Sequence, residues 1–370
     1  MGRVFVLDTL RGLAAFTVIW HHFHYAFRGG QTNKFYLRPF IAGHEAVMLF
    51  FVLSGYVLSV AVWRGKQLPY RLYLIRRLTR IYLPYLVALL ISAAVGRHFL
   101  FSRMQLDPWF YLTWQAPITW RVIAKGLLVE PYFTLNTAFW SLQYEMQMSL
   151  IFPVLCWIIL KLRTLGTFLL VAVMYWASVH VSRHTSDPYF IAESLEYCTF
   201  FLMGALIAKN QATLAASWRG IGTALKVFVT VTSFALYYRF FGLPKGNAAT
   251  RFGLTDTSAI HRSDLVVALG VIGIIVVATS SEMMQRVLDK PLFEYLGRVS
   301  YSMYLIHSVV LFSFIDLMYG KVPIAIIGLA YLIATMLISH LFLISVEEPS
   351  LQWGKRLTAR LGARSKAASP

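Results

Sequence analysis

Apolar stretches near the twenty or so residues that span a bilayer recur about ten times along this chain. Their approximate limits are Thr9 to Phe27, Gly43 to Trp63, Ile81 to Phe101, Thr137 to Leu160, Leu165 to Ser182, Ser194 to Ala208, Ile221 to Phe241, Leu265 to Ser280, Val299 to Tyr319, and Val322 to Val346. The fourth is interrupted by a polar patch from Gln143 to Gln147, and the short sixth can extend backwards over Tyr189 to Glu193. With 58% hydrophobic residues, 14% charged residues and a mean hydropathy of +0.62, the composition is that of a chain embedded in lipid and excludes a secreted globular protein. The expected fold is all-α, a polytopic transmembrane helical bundle.

Charge sets the expected topology. The net charge is +18, and the excess is uneven: Lys66, Arg71, Arg76 and Arg77 lie between Arg64 and Arg80, while Lys355, Arg356, Arg360, Arg364 and Lys366 follow Glu348. Both clusters read as cytoplasmic by the positive-inside rule. Alternation through about ten spans then puts Lys161, Arg163, Lys209, Arg219, Arg286, Lys290, Arg298 and both termini on that side, with roughly 20 basic residues inside. Arg28, Lys34, Arg38, Lys245, Arg251 and Arg262 would face outward. The inner clusters also read as headgroup anchors, and nucleic acid is not an expected partner, since no soluble basic domain is present to bind it.

The expected organisation is one membrane domain over 1–350 and a basic cytoplasmic tail over 351–370, with disorder expected near Ala367 to Pro370. No internal repeat, low-complexity tract or cleavable signal peptide is read. Cys156 and Cys198 both fall inside apolar segments, which argues against a disulfide framework or a zinc site; as thiols they read as lipid-facing or core packing, and no metal site is expected.

Ionisable residues inside spans are costly and therefore raise functional questions. Arg11 and His22 stand eleven residues apart on the first apolar helix, about three whole turns and about 16 Å of rise, so they share one stripe. One end can hold phosphate while the other does chemistry, which suits a long anionic thioester donor such as acyl-coenzyme A. His22, about 20 Å from the inner end of its helix, and Glu145, about 13 Å from the outer end of the fourth, fall in the outer half of the bilayer. His307 sits about 12 Å above the inner face, near the midplane. The three depths are compatible with one cavity.

Leu7-Asp8-Thr9-Leu10-Arg11-Gly12-Leu13-Ala14-Ala15 followed by His22 resembles the opening of the membrane acyltransferase-3 family. Further stretches resemble it in order: Glu45 to Tyr56 (EAVMLFFVLSGY), Arg76 to Tyr82 (RRLTRIY), Trp140 to Glu145 (WSLQYE), Leu296 to His307 (LGRVSYSMYLIH), and Glu347-Glu348-Pro349. The resemblance covers essentially the whole chain. It departs from the family at Gly43-His44-Glu45, where many relatives have a Gly-Val-Asp-like lead, and at Tyr56, where relatives often have Phe. These positions bear on which acceptor is used.

The resemblance implies transfer of an acyl group from a cytoplasmic coenzyme A thioester to a carbohydrate hydroxyl or other acceptor, often at the far side of the membrane. Some relatives carry a fused serine-esterase-like domain. This sequence ends before one, so any extracytoplasmic partner is expected to be separate or unnecessary. The expectation is an O-acyltransferase of the bacterial cytoplasmic (inner) membrane, with no bound cofactor. It would acetylate a sugar hydroxyl of a cell-surface polysaccharide or a lipid-linked glycan precursor. Arg11 reads as a phosphate contact or a positive-inside anchor, and His22 as a general base, a relay that carries the acyl group itself, or a buried core histidine. His21 points about 100° away and reads as structural. Glu145 can orient His22, stay protonated as a hydrogen bonder, or bind the acceptor. Arg76, Arg77 and Arg80 read as phosphate or lipid contacts. Tyr301 and His307 read as substrate contacts, and Trp140 and Ser141 as shaping the cavity. Alternatives are succinyl or other acyl transfer to a periplasmic glucan and, from another class, a proton-coupled transporter. A b-type cytochrome using His22 and His307 is a weaker alternative.

Overall fold

A computed structural model describes residues 5–28, 35–63, 68–98, 113–114, 117–129, 135–184, 188–240 and 257–367. Lys34, Lys66, Lys245, Arg251 and the last three residues lie outside the described residues, as do the side chains of Arg28 and Arg364. Among the described residues all regular structure is helical. Within the described residues eight helices are long and apolar enough to cross a membrane. The other two expected spans are helices as well: α1 (Phe5–Arg28), and the 15-residue α10 (Thr223–Tyr237). Side chains that a soluble protein would bury lie outside: Phe168, Val173 and Trp176 on α7 (Thr164–His184), Phe228 and Val231 on α10. They match a lipid surround, in which an exposed apolar face carries no penalty.

Several helices run past their expected limits. The third span starts at Tyr70 and ends at Gly96, so part of the basic connection is itself helical, as α3 (Tyr70–Arg77). The last span continues through Ala363, and 40 residues at 1.5 Å make about 60 Å, twice the hydrocarbon thickness. Its basic end, α15 (Glu348–Ala367), is an ordered helical extension. Hydropathy marks where lipid stops. Helix propensity, which Lys and Arg retain, carries the helix further.

Both long helices contain a π turn that ends two positions before a proline. Leu78–Tyr82 leads into α4 (Leu83–Gly96), with the Leu83 N–H bonding the Leu78 carbonyl, and Leu343–Glu347 joins α14 (Ile324–Phe342) to α15, with the Glu348 N–H bonding the Leu343 carbonyl. Pro84 and Pro349 lack an N–H and would crowd the carbonyl four residues back, and one i→i−5 turn absorbs that conflict without breaking the helix.

The chain forms two compact units: 1–18, 32–66 and 151–298 make the first, and 19–31, 67–150 and 299–370 the second. In the first, α2 (Gly43–Trp63) lies against α8 (Pro188–Lys209), which also packs on α7, and α10 lies along α11 (Thr257–Ser280). The α2–α8 crossing is a glycine contact: a Cβ on Gly55 would run into the Phe201 carbonyl oxygen, and one on Gly204 into the Val52 carbonyl oxygen. Small residues at such a crossing let backbones touch where lipid supplies no hydrophobic drive to associate. Cys156 and Cys198 are buried packing thiols.

In the second unit α15 lies antiparallel on α3. Gly354 faces Thr79, Arg76 Nε donates to Thr358 Oγ1 at 3.0 Å, and Gly362 faces Leu72. The residues on α15 are small and four apart, again permitting close approach.

Candidate functional site

The second unit brings His22 and His307 together. His22, on the C-terminal half of α1, has Nδ1 2.7 Å from His307 Nε2 on α13 (Pro291–Met318). The ring planes differ by 15° with centroids 4.9 Å apart. That separation is too wide for face-to-face contact and fits two nearly coplanar rings joined through an in-plane nitrogen lone pair. His307 is fully buried, and its Nδ1 lies 3.0 Å from the Met303 carbonyl. A carbonyl only accepts, so Nδ1 carries the His307 proton, and in the neutral ring Nε2 is the acceptor. His22 Nδ1 must then donate to it, which assigns the His22 lone pair to Nε2. A chain of two imidazoles fixes one tautomer, as a carboxylate does in a hydrolase triad. His307 therefore positions His22.

The start of α6 (Phe139–Lys161) and the residues before it hold α13 in register. Asn136 Nδ2 donates to the Leu305 carbonyl at 3.0 Å, Thr137 and Ser308 hydroxyls meet at 2.7 Å, and Ser141 and Tyr304 hydroxyls meet at 2.6 Å. Ser308 Oγ is also 3.2 Å from His307 Nε2, longer than the bond to His22. Ser141 is thus part of the frame behind the histidines, while Trp140 packs edge-on against Tyr144.

Glu145 stands elsewhere. Its carboxylate is 3.8 Å from Arg77 Nη2, and Arg77 donates through Nε and Nη2 to Ser149 Oγ, which itself donates to the Glu145 carbonyl. Of the three roles open to Glu145, orienting His22 belongs instead to His307. Arg77 is committed to this cluster, Arg76 is tied to Thr358, and Arg80 is exposed. Tyr301 donates to the Ile81 carbonyl inside the first π turn at 2.8 Å, and the next residue, Ser302, donates to the Glu347 carboxylate at the second, at 2.5 Å. Adjacent residues of α13 therefore secure both π turns.

Arg11 belongs to the first unit. Its guanidinium is partly accessible and lies 3.9 Å from Asp8 one turn earlier. Beside it Gly12 meets Gly297: a Cβ on Gly12 would be 2.6 Å from the Gly297 nitrogen, and one on Gly297 would be 2.6 Å from the Asp8 carbonyl oxygen. The glycines of the Arg11-Gly12 and Leu296-Gly297-Arg298 motifs are where the N-terminal parts of α1 and α13 touch.

One buried charged cluster was not legible in the sequence. Arg239, just past the end of α10, is 3.0 Å from Glu45 and 2.7 Å from Asp264, and donates to Ser263 Oγ at 2.8 Å. His44 Nε2 is 2.9 Å from both Asp264 oxygens. Arg239 adopts φ +53°, an uncommon conformation for a side-chain-bearing residue, held here by three side-chain partners. Three separated segments meet in it, and only the charges within apolar stretches hinted at a partner. Among the described residues no group of His, Cys, Asp or Glu is placed to hold a metal ion.

A family model described as an acyltransferase domain, acyltransferase 3, matches residues 5–344. Neither a curated protein nor a solved structure matches the chain.

Proposed function

Since the chain belongs to the acyltransferase-3 family and is a membrane acyltransferase, we propose that it moves an acyl group from cytoplasmic acyl-coenzyme A to a sugar hydroxyl of a cell-surface polysaccharide or a lipid-linked glycan precursor, in a bacterial inner membrane. The observation that carries this reading is the His22–His307 bond, because the tautomer it sets gives His22 Nε2 the lone pair a general base needs.

In this reading the acceptor O–H loses its proton to His22 Nε2 as the oxygen attacks the thioester carbonyl carbon. The C–S bond then breaks, and the departing thiolate takes up the proton, leaving His22 neutral again. His307 steadies the transient imidazolium through the same hydrogen bond. Arg11 and the arginines Arg76 and Arg80 supply cationic contacts for the donor's phosphates. Acetyl is the smallest donor that fits the reading. Deleting the gene and weighing surface glycans by mass spectrometry tests it. Loss of one acyl mass from a defined sugar is the expected result, and an unchanged glycan profile contradicts it.

A further inference from the structure

Two imidazoles joined at 2.7 Å can pass a proton between them. When His22 takes up the acceptor's proton at Nε2, its Nδ1 hydrogen could cross to His307 Nε2, and the positive charge would then sit on His307. His22 would be left a neutral ring with its hydrogen on Nε2, a far weaker acid than an imidazolium and unable to protonate the departing thiolate. General-base catalysis followed by return of the proton therefore needs the charge held on His22.

A second donor stands at the same lone pair. Ser308 Oγ is 3.2 Å from His307 Nε2 and 2.7 Å from Thr137 Oγ1, and both hydroxyl residues are buried away from water. Each hydroxyl has one hydrogen to give. If Ser308 gave its hydrogen to Thr137, its lone pairs would face the bare nitrogen of His307, and the Thr137 hydrogen would be buried without an acceptor among the described residues, a costly state. The order that places every hydrogen is Thr137 to Ser308 to His307 Nε2. That lone pair thus receives two hydrogens, the shorter bond from His22 and the longer from Ser308.

We propose that Ser308 and Thr137 are positioning residues that confine the positive charge to His22 during acyl transfer. A hydrogen already aimed at His307 Nε2 stands where an N–H on that nitrogen would have to point. For the Nδ1 hydrogen to cross, Ser308 must turn to donate to Thr137, and Thr137 then loses its acceptor, so crossing costs one buried hydrogen bond. All four residues belong to the second unit, with Thr137 just before α6, Ser308 and His307 on α13, and His22 on α1. The inference rests on the general-base reading of His22. Titratable rings beside the pair are His21, centred 5.5 Å from His22, and Tyr304, centred 5.9 Å from His307 with its hydroxyl on Ser141; both remain in every variant below.

The test is nitrogen NMR of the histidine-labelled full chain in phosphatidylcholine nanodiscs, acidified until the pair takes up one proton, with the two rings identified by the nitrogen–nitrogen coupling across their hydrogen bond. In the unmodified protein the hydrogen between the rings is expected on His22 Nδ1, with His307 Nε2 bare. Ser308→Ala and the near-isosteric Thr137→Val should move it to His307 Nε2 or share it between the rings, while Ser308→Thr, which keeps the hydroxyl, should leave it on His22. Single-turnover transfer from saturating acetyl-coenzyme A should fall by about 2- to 13-fold in the first two variants, the worth of one neutral hydrogen bond, with donor affinity kept and thermal melts checking the fold. A hydrogen that stays on His22 Nδ1 in both variants means that the hydroxyls only brace α13 and overturns the proposal, as does a hydrogen already on His307 in the unmodified protein. Intact turnover by His22→Ala would instead overturn the general-base reading itself.

Discussion

His307→Phe keeps an aromatic ring in place and removes both ring nitrogens, so it isolates the positioning role. In the protein His307 Nε2 accepts from His22 Nδ1 at 2.7 Å. When His22 takes the acceptor's proton, that N–H becomes a charged donor, and a hydrogen bond to a charged group contributes about 1.5–3 kcal/mol. The neutral bond already contributes about 0.5–1.5 kcal/mol before the proton moves, so the substitution removes a differential of about 1–1.5 kcal/mol and lowers kcat by about 5- to 13-fold at 1.36 kcal/mol per decade. The Met303 carbonyl and the His22 N–H lose their partner together, costing about 1–3 kcal/mol of stability. The assay is single-turnover transfer from saturating acyl-coenzyme A in the purified protein, with donor binding and melting temperature measured in parallel. Donor affinity should be unchanged, and His307→Gln, which restores an acceptor, should recover part of kcat. If His307 were instead a substrate contact, as its sequence context suggested, the substitution would raise KM more than it lowers kcat. Turnover within twofold of the unmodified protein would refute the reasoning.

Other perturbations follow from the same geometry. Gly55→Ala pushes a Cβ into the Phe201 carbonyl and should destabilise the α2–α8 crossing by about 1–3 kcal/mol, seen as a lower melting temperature in detergent; an unchanged melt would mean the helices can part at no cost. Arg239→Leu leaves Glu45 and Asp264 buried without their common cation and should cost about 3–5 kcal/mol. Recovery of the melt in an Arg239→Leu, Glu45→Gln, Asp264→Asn triple variant would identify charge as the cause, and no recovery would point to packing. Glu145→Gln should express normally, because Arg77 keeps its bonds to Ser149. If donor affinity then changes while kcat holds, the Arg77–Glu145 cluster acts on binding; the reverse result would tie it to the chemistry.

Periodicity and hydropathy made the helices legible, since each span must satisfy its own backbone in lipid. They misjudged the ends: α3 and α15 are helical although their residues are charged, because leaving the bilayer ends the need for apolar side chains and not the helix. The motif glycines Gly12, Gly55 and Gly297 were visible as residues, but their reason is an approach of two backbones distant in sequence. Pro84 and Pro349 could have flagged the two π turns, each of which lies just before one. His22 and His307 were each singled out, but their bond spans 285 positions and no local pattern encodes it. The same holds for Glu145, whose depth suited His22 while its actual partner, Arg77, lay in a segment read as a cytoplasmic loop.

The account's central claim is that His22 is the proton acceptor in acyl transfer, and its most direct measurement is single-turnover transfer by His22→Ala beside donor binding by calorimetry. The account predicts a loss of about 10²- to 10⁴-fold in rate with donor affinity kept, whereas abolished donor binding with turnover intact at saturating donor would make His22 a binding residue and contradict it.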